Sequence, residues 1–203
     1  VGLKLASALV TVAAGNFMLL LFCTMLTSLI LGMGVPTTAN YVITSTIAAP
    51  ALIQLGVPTL AAHMFVFYFG IIADITPPVA LAAYAGSAIS GGDPLKTGVN
   101  ASKLGIAAFI IPYVFVLSPQ LLGIGATFTS VLMTTTTAII GMIGISGAMI
   151  GQFYTRANVF ERLILAAGGL CLIDPHGLTD LIGVALLVGV GVMQWFRSKK
   201  EKA

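Results

Sequence analysis

The sequence predicts an all-α, polytopic membrane protein, and three observations carry that prediction. Hydrophobic residues make up 58% of the 203 residues and charged residues only 7%, a balance typical of membrane proteins. The apolar stretches approach the roughly 20 residues of a membrane-spanning helix. Glycine, proline and polar residues interrupt the apolar sequence at 32–40 and at 74–78. Broken backbone at membrane depth persists only inside protein or along a water-filled cavity, so both interruptions indicate a functional site.

The first 55 residues are predicted to form two elements. Residues 1–14 are weakly amphipathic, which fits an interfacial helix or the end of a preceding span. Residues 15–55 form a re-entrant helical hairpin in this interpretation, with its tip at Gly32-Met33-Gly34-Val35-Pro36. The second arm, 38–55, is polar along one side and ends at the helix stop 56–58. Each arm nearly supplies the length of a full span, so two complete crossings stay open as an alternative.

Residues 56–118 are predicted to form a discontinuous helix and a following span. The stretch 59–90 is too long for one straight span and is divided at Asp74-Ile75-Thr76-Pro77-Pro78. The two prolines leave carbonyl groups one turn back without amide partners, and free carbonyl oxygens are ligands for cations. After a loop comes a short polar helix at 95–102 and a span at 103–117.

Residues 119–203 are predicted to form the C-terminal transmembrane helices and a basic tail. A span lies within 122–152, and a polar connector at 154–162 leads to two short apolar helices, 163–173 and 178–195. Small residues at helical spacing in the span indicate close helix packing. They are Gly141, Gly144, Gly147 and Gly151. The threonine run at 134–137 is expected to bond to its own backbone or across a helix interface.

The distribution of Lys and Arg orients the chain. With the tail 197–202 in the cytoplasm and alternating spans, eight of the nine basic residues lie on the cytoplasmic side, and Lys4 is the exception. The loops at 56–58, 118–123 and 174–176 contain no Lys or Arg and fall outside. The net charge of +3 comes from scattered residues and the tail, so it does not indicate binding to nucleic acid.

Residues with catalytic or metal-binding chemistry have simpler explanations here. Cys23 and Cys171 lack the spacing of a metal site and fit an apolar core. His63 lies in an aromatic run and is expected to be packed or interfacial. His176 beside Asp174 has no nucleophile for a catalytic arrangement. Phosphate loops and dinucleotide fingerprints are also missing from the sequence, so an enzyme is not expected.

Several segments together resemble the large membrane subunit of TRAP transporters, and the TAXI branch with its fused permease is the most similar type. They are LGMGVPTTAN at 31–40, HMFVFYFG at 63–70, ITPPVALAAY at 75–84, ERLIL at 161–165 and IDPHGLTD at 173–180. The resemblance implies an elevator-type transporter with inverted repeats, each holding one re-entrant hairpin and one discontinuous helix. This chain would supply the second repeat and extra C-terminal helices. Its start at Val1, without a Met or a signal peptide, suggests a fragment of a longer protein.

What the resemblance implies for function is Na+-coupled uptake of an organic anion, typically a carboxylate, that a periplasmic substrate-binding protein delivers. The coupling ion is Na+ with H+ as the alternative, and no cofactor is expected. Further partners would be the N-terminal half of the permease, a small membrane subunit or fused domain, and the lipid bilayer. The location would be the cytoplasmic (inner) membrane of a bacterium or archaeon, with the C-terminus in the cytoplasm.

The two interruptions supply the candidate site. Half-helix N-termini at 37–39 and 78–80 carry partial positive charge suited to a carboxylate, whereas unwound carbonyls nearby suit a hard cation. The candidates for binding ion or substrate are Gly32, Gly34, Pro36, Thr37, Thr38, Asn40, Asp74, Thr76, Pro77 and Pro78. The Na+ candidates among them are Gly32, Gly34, Thr37, Thr38 and Thr76.

Each candidate also has a purely structural explanation. The glycines could only relieve crowding at a tight turn. Thr37 and Thr38 could cap the second hairpin helix, and Asp74 could simply be solvated in an aqueous vestibule. A second functional interpretation is therefore a non-transporting structural or docking module of a larger complex. Such a module would tolerate threonine-to-valine changes at the tip, which an ion-coupled transporter would not.

Overall fold

Helices form almost all of the regular structure in the computed structural model, which describes residues 2–173 and 177–202. The predicted all-helical fold is confirmed, since none of these residues lies in a strand. The chain divides into two compact units, Val1–Leu122 and Gly123–Ala203. The predicted outer loop with Asp174 and His176 lies outside the described residues.

The described helices of the first unit are α1 (Gly2–Ala13), α2 (Phe17–Gly32), α3 (Thr37–Ile47), α4 (Ala49–Gln54), α5 (Thr59–Ile72), α6 (Leu81–Ser90), α7 (Pro94–Leu104) and α8 (Ile106–Leu117). Two short 3-10 turns, Ala73–Ile75 and Pro119–Leu122, follow α5 and α8. The second unit contains α9 (Phe128–Ile150), α10 (Val159–Cys171) and α11 (Gly177–Lys202).

The hairpin tip lies at residues 33–36, within the segment 32–36 that its glycines and proline predicted. α2 begins where the Asn16 side chain accepts a hydrogen bond from the Leu19 amide, 3.1 Å away, and it ends at Gly32. Gly34 has a φ of +72°, a left-handed conformation that glycine adopts without steric cost. The next helix, α3, starts directly after Pro36.

The second arm of the hairpin differs from the single helix expected at 38–55. The structure has two helices, α3 and α4, with a break at Ala48. Pro50 explains the break, because it has no amide hydrogen for a continuous helix and instead occupies the first turn of α4.

The second interruption separates α5 from α6. After the 3-10 turn the chain leaves helical geometry at Thr76, and the peptide bond between Pro77 and Pro78 is cis. The second half-helix begins at Leu81, slightly later than the 78–80 expected, because Ala80 has a left-handed φ of +35°. The break is therefore longer than the two prolines alone indicated.

The core of the first unit surrounds α5, which packs against α2, α3, α4 and α8. Phe65 and Phe69 on α5 are fully buried, with ring centroids 4.8 Å apart. The Tyr113 ring of α8 lies 5.3 Å from the Phe65 ring and 5.8 Å from the Phe69 ring. These edge-to-face contacts and the burial around them hold α5 in place beside the hairpin.

In the second unit, the predicted close helix packing is confirmed at Gly141 and Gly144, whereas Gly147 faces Phe153 of the connector and Gly151 is the left-handed C-cap of α9. A Cβ atom added to Gly141 would lie 2.8 Å from the Gly169 carbonyl oxygen, and one added to Gly144 would lie 2.5 Å from Leu187 Cδ2. Larger side chains at these positions would separate the helices. The predicted back-bonding of the threonine run is also present, since Thr136 Oγ1 donates to the Leu132 carbonyl at 2.7 Å.

A buried polar network links the connector between α9 and α10 to α11. Gln194 is fully buried, and its Oε1 accepts hydrogen bonds from the amides of Tyr154 and Thr155 at 2.9 and 3.0 Å. Its Nε2 donates to Glu161 at 2.8 Å, and Arg197 pairs with the same carboxylate. Because Asn158 and Glu161 form a capping box, α10 begins at Val159 and takes up part of the predicted polar connector.

Helix length separates possible spans from shorter elements. Among the described residues, α9 and the 177–199 part of α11 are long and apolar enough to cross a membrane, and α7 with α8 forms a third candidate bent by 41°. The hairpin helices α2 and α3 have 16 and 11 residues. They are about 24 and 17 Å long, shorter than a hydrocarbon core of about 30 Å. The second arm as a whole, α3 with α4, covers residues 37–54, so re-entry as against two complete crossings stays a prediction.

Candidate functional site

Three helices of the first unit meet where two glycines leave room for one asparagine. Gly32 ends α2, Asn40 lies in the first turn of α3, and Gly70 lies near the end of α5. A Cβ atom added to Gly70 would lie 2.5 Å from Asn40 Oδ1 and 2.6 Å from Nδ2, and one added to Gly32 would lie 2.9 Å from Nδ2. Any side chain at either glycine would collide. We call this arrangement of Gly32, Asn40 and Gly70 the Asn40 slot.

The carboxamide oxygen in the slot has no hydrogen-bond partner among the described residues. Asn40 is 2% exposed, and no described residue donates a hydrogen bond to its Oδ1. Its backbone is satisfied, because its amide donates to the Pro36 carbonyl and its carbonyl accepts from Thr44 Oγ1, both at 2.9 Å. Leaving a buried oxygen unpaired costs about 1–3 kcal/mol, so such atoms usually bind water or a ligand.

Two hydroxyl groups on α2 are also buried and unpaired. Thr24 and Ser28 are 0% exposed, and their side-chain oxygens have no partner among the described residues. They precede Gly32 by eight and four residues, so the three positions share one face of α2. Thr27 on the same helix instead donates to the Cys23 carbonyl at 2.9 Å. Bonding to the helix's own backbone is thus available in α2, but Thr24 and Ser28 do not use it.

Thr24, Ser28 and Gly70 are not among the site residues predicted from the sequence. The four-residue spacing of Thr24, Ser28 and Gly32 was a readable signal, since it places polar and small residues on one face of an apolar helix. Gly70 ends the segment HMFVFYFG at 63–70, but its contact with Asn40 joins positions 30 residues apart in the chain. Local sequence patterns do not contain that information.

The remaining hairpin candidates lie on the outside of the first unit. Gly34, Pro36, Thr37 and Thr38 are all exposed. Pro36 is the N-cap of α3 and provides no side-chain hydrogen bond to the first turn, so neither threonine occupies the capping position. The N-terminal end of α3 therefore presents backbone amides and two hydroxyl groups to the surroundings of the unit.

The candidates in the second interruption are engaged with the protein. Thr76 Oγ1 donates to the Ile72 carbonyl at 2.7 Å. Ser102 Oγ of α7 donates to the Ile75 carbonyl at 2.9 Å, and the Tyr84 hydroxyl donates to the Pro78 carbonyl at 2.7 Å. The carbonyls of Ile72, Ile75 and Pro78 thus each receive a side-chain donor, and a carbonyl oxygen has a second lone pair for another ligand.

The structure brings some of the candidates together and leaves others apart. In the slot, Gly32 and Asn40 lie against Gly70 of α5, which precedes Asp74 by four residues. Asp74 is half-buried, and α2 contacts the 3-10 turn that contains it. Pro77 packs on α7, where a Cβ atom at Gly98 would lie 3.2 Å from its Cγ. Within residues 2–173, no hydrogen bond joins the side chains of Thr37 or Thr38 to the second interruption.

His63 lies beside the hairpin rather than in the slot. Its Nδ1 is 3.0 Å from the Tyr41 hydroxyl, and the two rings are in contact with centroids 6.0 Å apart. The expected packed histidine is present, and it connects α5 to α3.

Comparison with known protein families gave a match. The family model for the DctM component of the tripartite ATP-independent periplasmic transporters matches residues 1–130. The matched range includes the whole first unit, and with it the Asn40 slot and the interruption after α5. Searches of curated proteins and of solved structures gave no match.

Proposed function

The chain belongs to the DctM family of tripartite ATP-independent periplasmic transporters, and from this premise we propose that it is part of a permease that takes up an organic anion together with Na+. The family description rules out ATP as the source of energy, and an ion gradient is the usual alternative. Transporters of this kind bind substrate and coupling ion near the membrane midplane, where helices are discontinuous. The first unit has two such places.

The observation that supports Na+ coupling is the unpaired oxygen of the Asn40 slot. Na+ is a hard cation and takes neutral or negative oxygen ligands. Asn40 Oδ1 is buried without a donor among the described residues, and it faces Gly70 of α5, whose carbonyl oxygen lies against Gly32 at the C-terminus of α2. A helix C-terminus carries partial negative charge, which favours a cation at this place. We assign Asn40 as a ligand and Gly32 as the residue that admits it.

The N-terminus of α3 is suited to the anion. Its first-turn amides have no side-chain cap, and Thr37 and Thr38 add exposed hydroxyl donors. Partial positive charge at a helix N-terminus attracts carboxylates. The cation ligand Asn40 lies in the same turn, so binding of one charge would strengthen binding of the other.

The proposal also names the partner proteins and the membrane in which the chain would function. A periplasmic binding protein would deliver the anion to a permease in the inner membrane, and the N-terminal half of the permease and a small or fused membrane subunit would complete the transporter. Under the positive-inside rule, the basic tail supports a cytoplasmic C-terminus in this proposal.

The test is Na+-dependent uptake of carboxylates by the full-length permease and its binding protein in liposomes. The variants are Asn40→Ala and the double change Thr37→Val with Thr38→Val. We expect Asn40→Ala to raise the Na+ concentration for half-maximal uptake about tenfold, because it removes one charge-assisted oxygen contact. The double variant should lower uptake and also raise the Na+ requirement. Thr46→Val is the matched control, since its exposed hydroxyl only bonds to the α3 backbone.

Three outcomes would contradict parts of the proposal. Normal Na+ dependence in Asn40→Ala and in the threonine variant would remove the assignment of the site. Uptake driven by a proton gradient without Na+ would replace the coupling ion. A folded, assembled permease that moves no carboxylate, and that tolerates all these changes, would favour the structural or docking module.

A further inference from the structure

A groove runs between α9 and α11 of the second unit. Its volume is about 390 Å³ and all of its lining residues are apolar. Those from α9 and the connector are Ile140, Ile143 and Phe153, and those from α11 include Val188, Gly191 and Val192. Several of these side chains are widely exposed, for example Ile143 at 55% and Val188 at 56%.

Gly191 creates the space in this groove. It is the glycine of α11 that lines the groove, whereas Gly189 on the same helix does not. A Cβ atom at Gly191 would lie 3.6 Å from Phe153 Cε1, which is an ordinary van der Waals distance. A longer side chain at this position would therefore fill the groove without disturbing the backbone.

The groove face of α11 continues to an aromatic and a basic residue. Val188, Val192, Trp195 and Lys199 follow at intervals of four, three and four residues, so they lie on one side of the helix. Lys199 is exposed, and its Nζ lies 4.0 Å from the centroid of the Trp195 ring. The neighbouring Arg197 is engaged with Glu161. Tryptophan and lysine at the end of an apolar helix are typical of the membrane–water interface.

The distance along α11 matches one membrane leaflet. Eleven residues separate Val188 from Lys199, which corresponds to about 16 Å along the helix axis. Half of the hydrocarbon core of a bilayer is about 15 Å thick. With Lys199 at the headgroups, the groove lies at the depth of the acyl chains.

From this arrangement we propose that the groove binds one acyl chain of an anionic phospholipid, whose phosphate lies at Lys199 and Trp195. The apolar lining would contact the acyl chain, and the Lys199 ammonium group at the end of the same helix face would bind the negatively charged headgroup. This lipid site goes beyond the transport function and does not depend on the identity of the coupling ion.

The test measures lipid retention by the purified full-length permease. The protein is stripped of lipid, incubated in detergent micelles that contain phosphatidylglycerol or phosphatidylcholine, and examined by native mass spectrometry. We expect the wild type to retain phosphatidylglycerol about fivefold better than phosphatidylcholine, because one lysine near the membrane surface supplies a preference of that size for an anionic lipid. Gly191→Leu should abolish retention. Gly189→Leu is its matched control, because Gly189 lies on the same helix, outside the groove lining, with open space around its Cβ position.

A second variant keeps the test independent of folding. Lys199→Gln should retain both lipids equally, whereas Lys96→Gln, an exposed lysine on α7, should keep the wild-type preference. The proposal is overturned if Gly191→Leu retains lipid like the wild type, if Lys199→Gln keeps the preference, or if the wild type retains neither lipid. It is also overturned if the Val188→Cys variant crosslinks in membranes to another protein segment, because a helix would then occupy the groove.

Discussion

Gly70 is a position where one methyl group should separate two helices. The added carbon of Gly70→Ala would lie 2.5 Å from Asn40 Oδ1, and both atoms belong to well-packed helices. We expect this change to lower the free energy of unfolding by about 1–3 kcal/mol. Thermal unfolding of the purified protein, followed by circular dichroism, measures the effect.

Two further variants show whether the contact with Asn40 is the cause. Gly86→Ala is the control, because Gly86 has open space around its Cβ position and an ordinary helical φ, so alanine should be neutral or slightly stabilising there. The double variant Gly70→Ala with Asn40→Ala should be less destabilised than the sum of its parts. Additive effects would show that the clash lies elsewhere.

Ser28 allows a prediction with the opposite sign. Its hydroxyl is fully buried and unpaired, so Ser28→Ala in Na+-free buffer should raise the free energy of unfolding by about 1 kcal/mol. Thr27→Val on the same helix should not, because it removes a hydrogen bond to the Cys23 carbonyl. The measurement is again thermal unfolding, and a loss of stability in Ser28→Ala would mean that its hydroxyl has a bound partner even without Na+.

At the scale of the elements, one hydrogen bond joins α7 to the interruption after α5. Ser102 Oγ donates to the Ile75 carbonyl across 27 residues of chain. We expect Ser102→Ala to lower the free energy of unfolding by about 1 kcal/mol and to increase hydrogen exchange at 73–80, since this carbonyl loses its donor. Ser90→Ala is the control, because its weak 3.4 Å bond stays within α6. Equal exchange in both variants would contradict a role for Ser102 in holding the break.

The same elements show what the sequence could predict. Glycine and proline change the backbone directly, so the tip at Gly34 and the break at Pro77 were readable without a structure. Pro50 likewise indicated the break between α3 and α4, because a proline interrupts a helix, but the prediction of one helix at 38–55 did not use it. The slot was out of reach, because the fit of Asn40 against Gly70 depends on how α3 packs on α5, and no local pattern specifies that packing.

For the whole molecule, the two-unit division falls between Leu122 and Gly123, close to the sequence-based boundary at 118/119. Gly123 and Gly125 both have left-handed φ angles, +75° and +62°, in the exposed segment that follows the first unit. The sequence contained these glycines, but the predicted boundary followed Ser118-Pro119, where the span at 103–117 was expected to end.

The orientation of the whole chain is the remaining prediction at this scale. Basic residues at the end of α11 should keep the C-terminus in the cytoplasm. Green fluorescent protein fused after Ala203 should therefore fluoresce in cells, and alkaline phosphatase fused there should be inactive. A phosphatase fusion after Gly56, in the loop expected outside, is the matched control and should be active. The reverse pattern would overturn the orientation.

The Asn40 slot also has a consequence for the evolution of the family. Its three members fit only in combination, since a side chain at 32 or 70 collides with the amide at 40 or with facing backbone. Substitutions at these sites should therefore be correlated across homologues. A relative with alanine at the position of Gly70 should carry a smaller residue than asparagine at the position of Asn40, and glycine should be retained where the asparagine is retained.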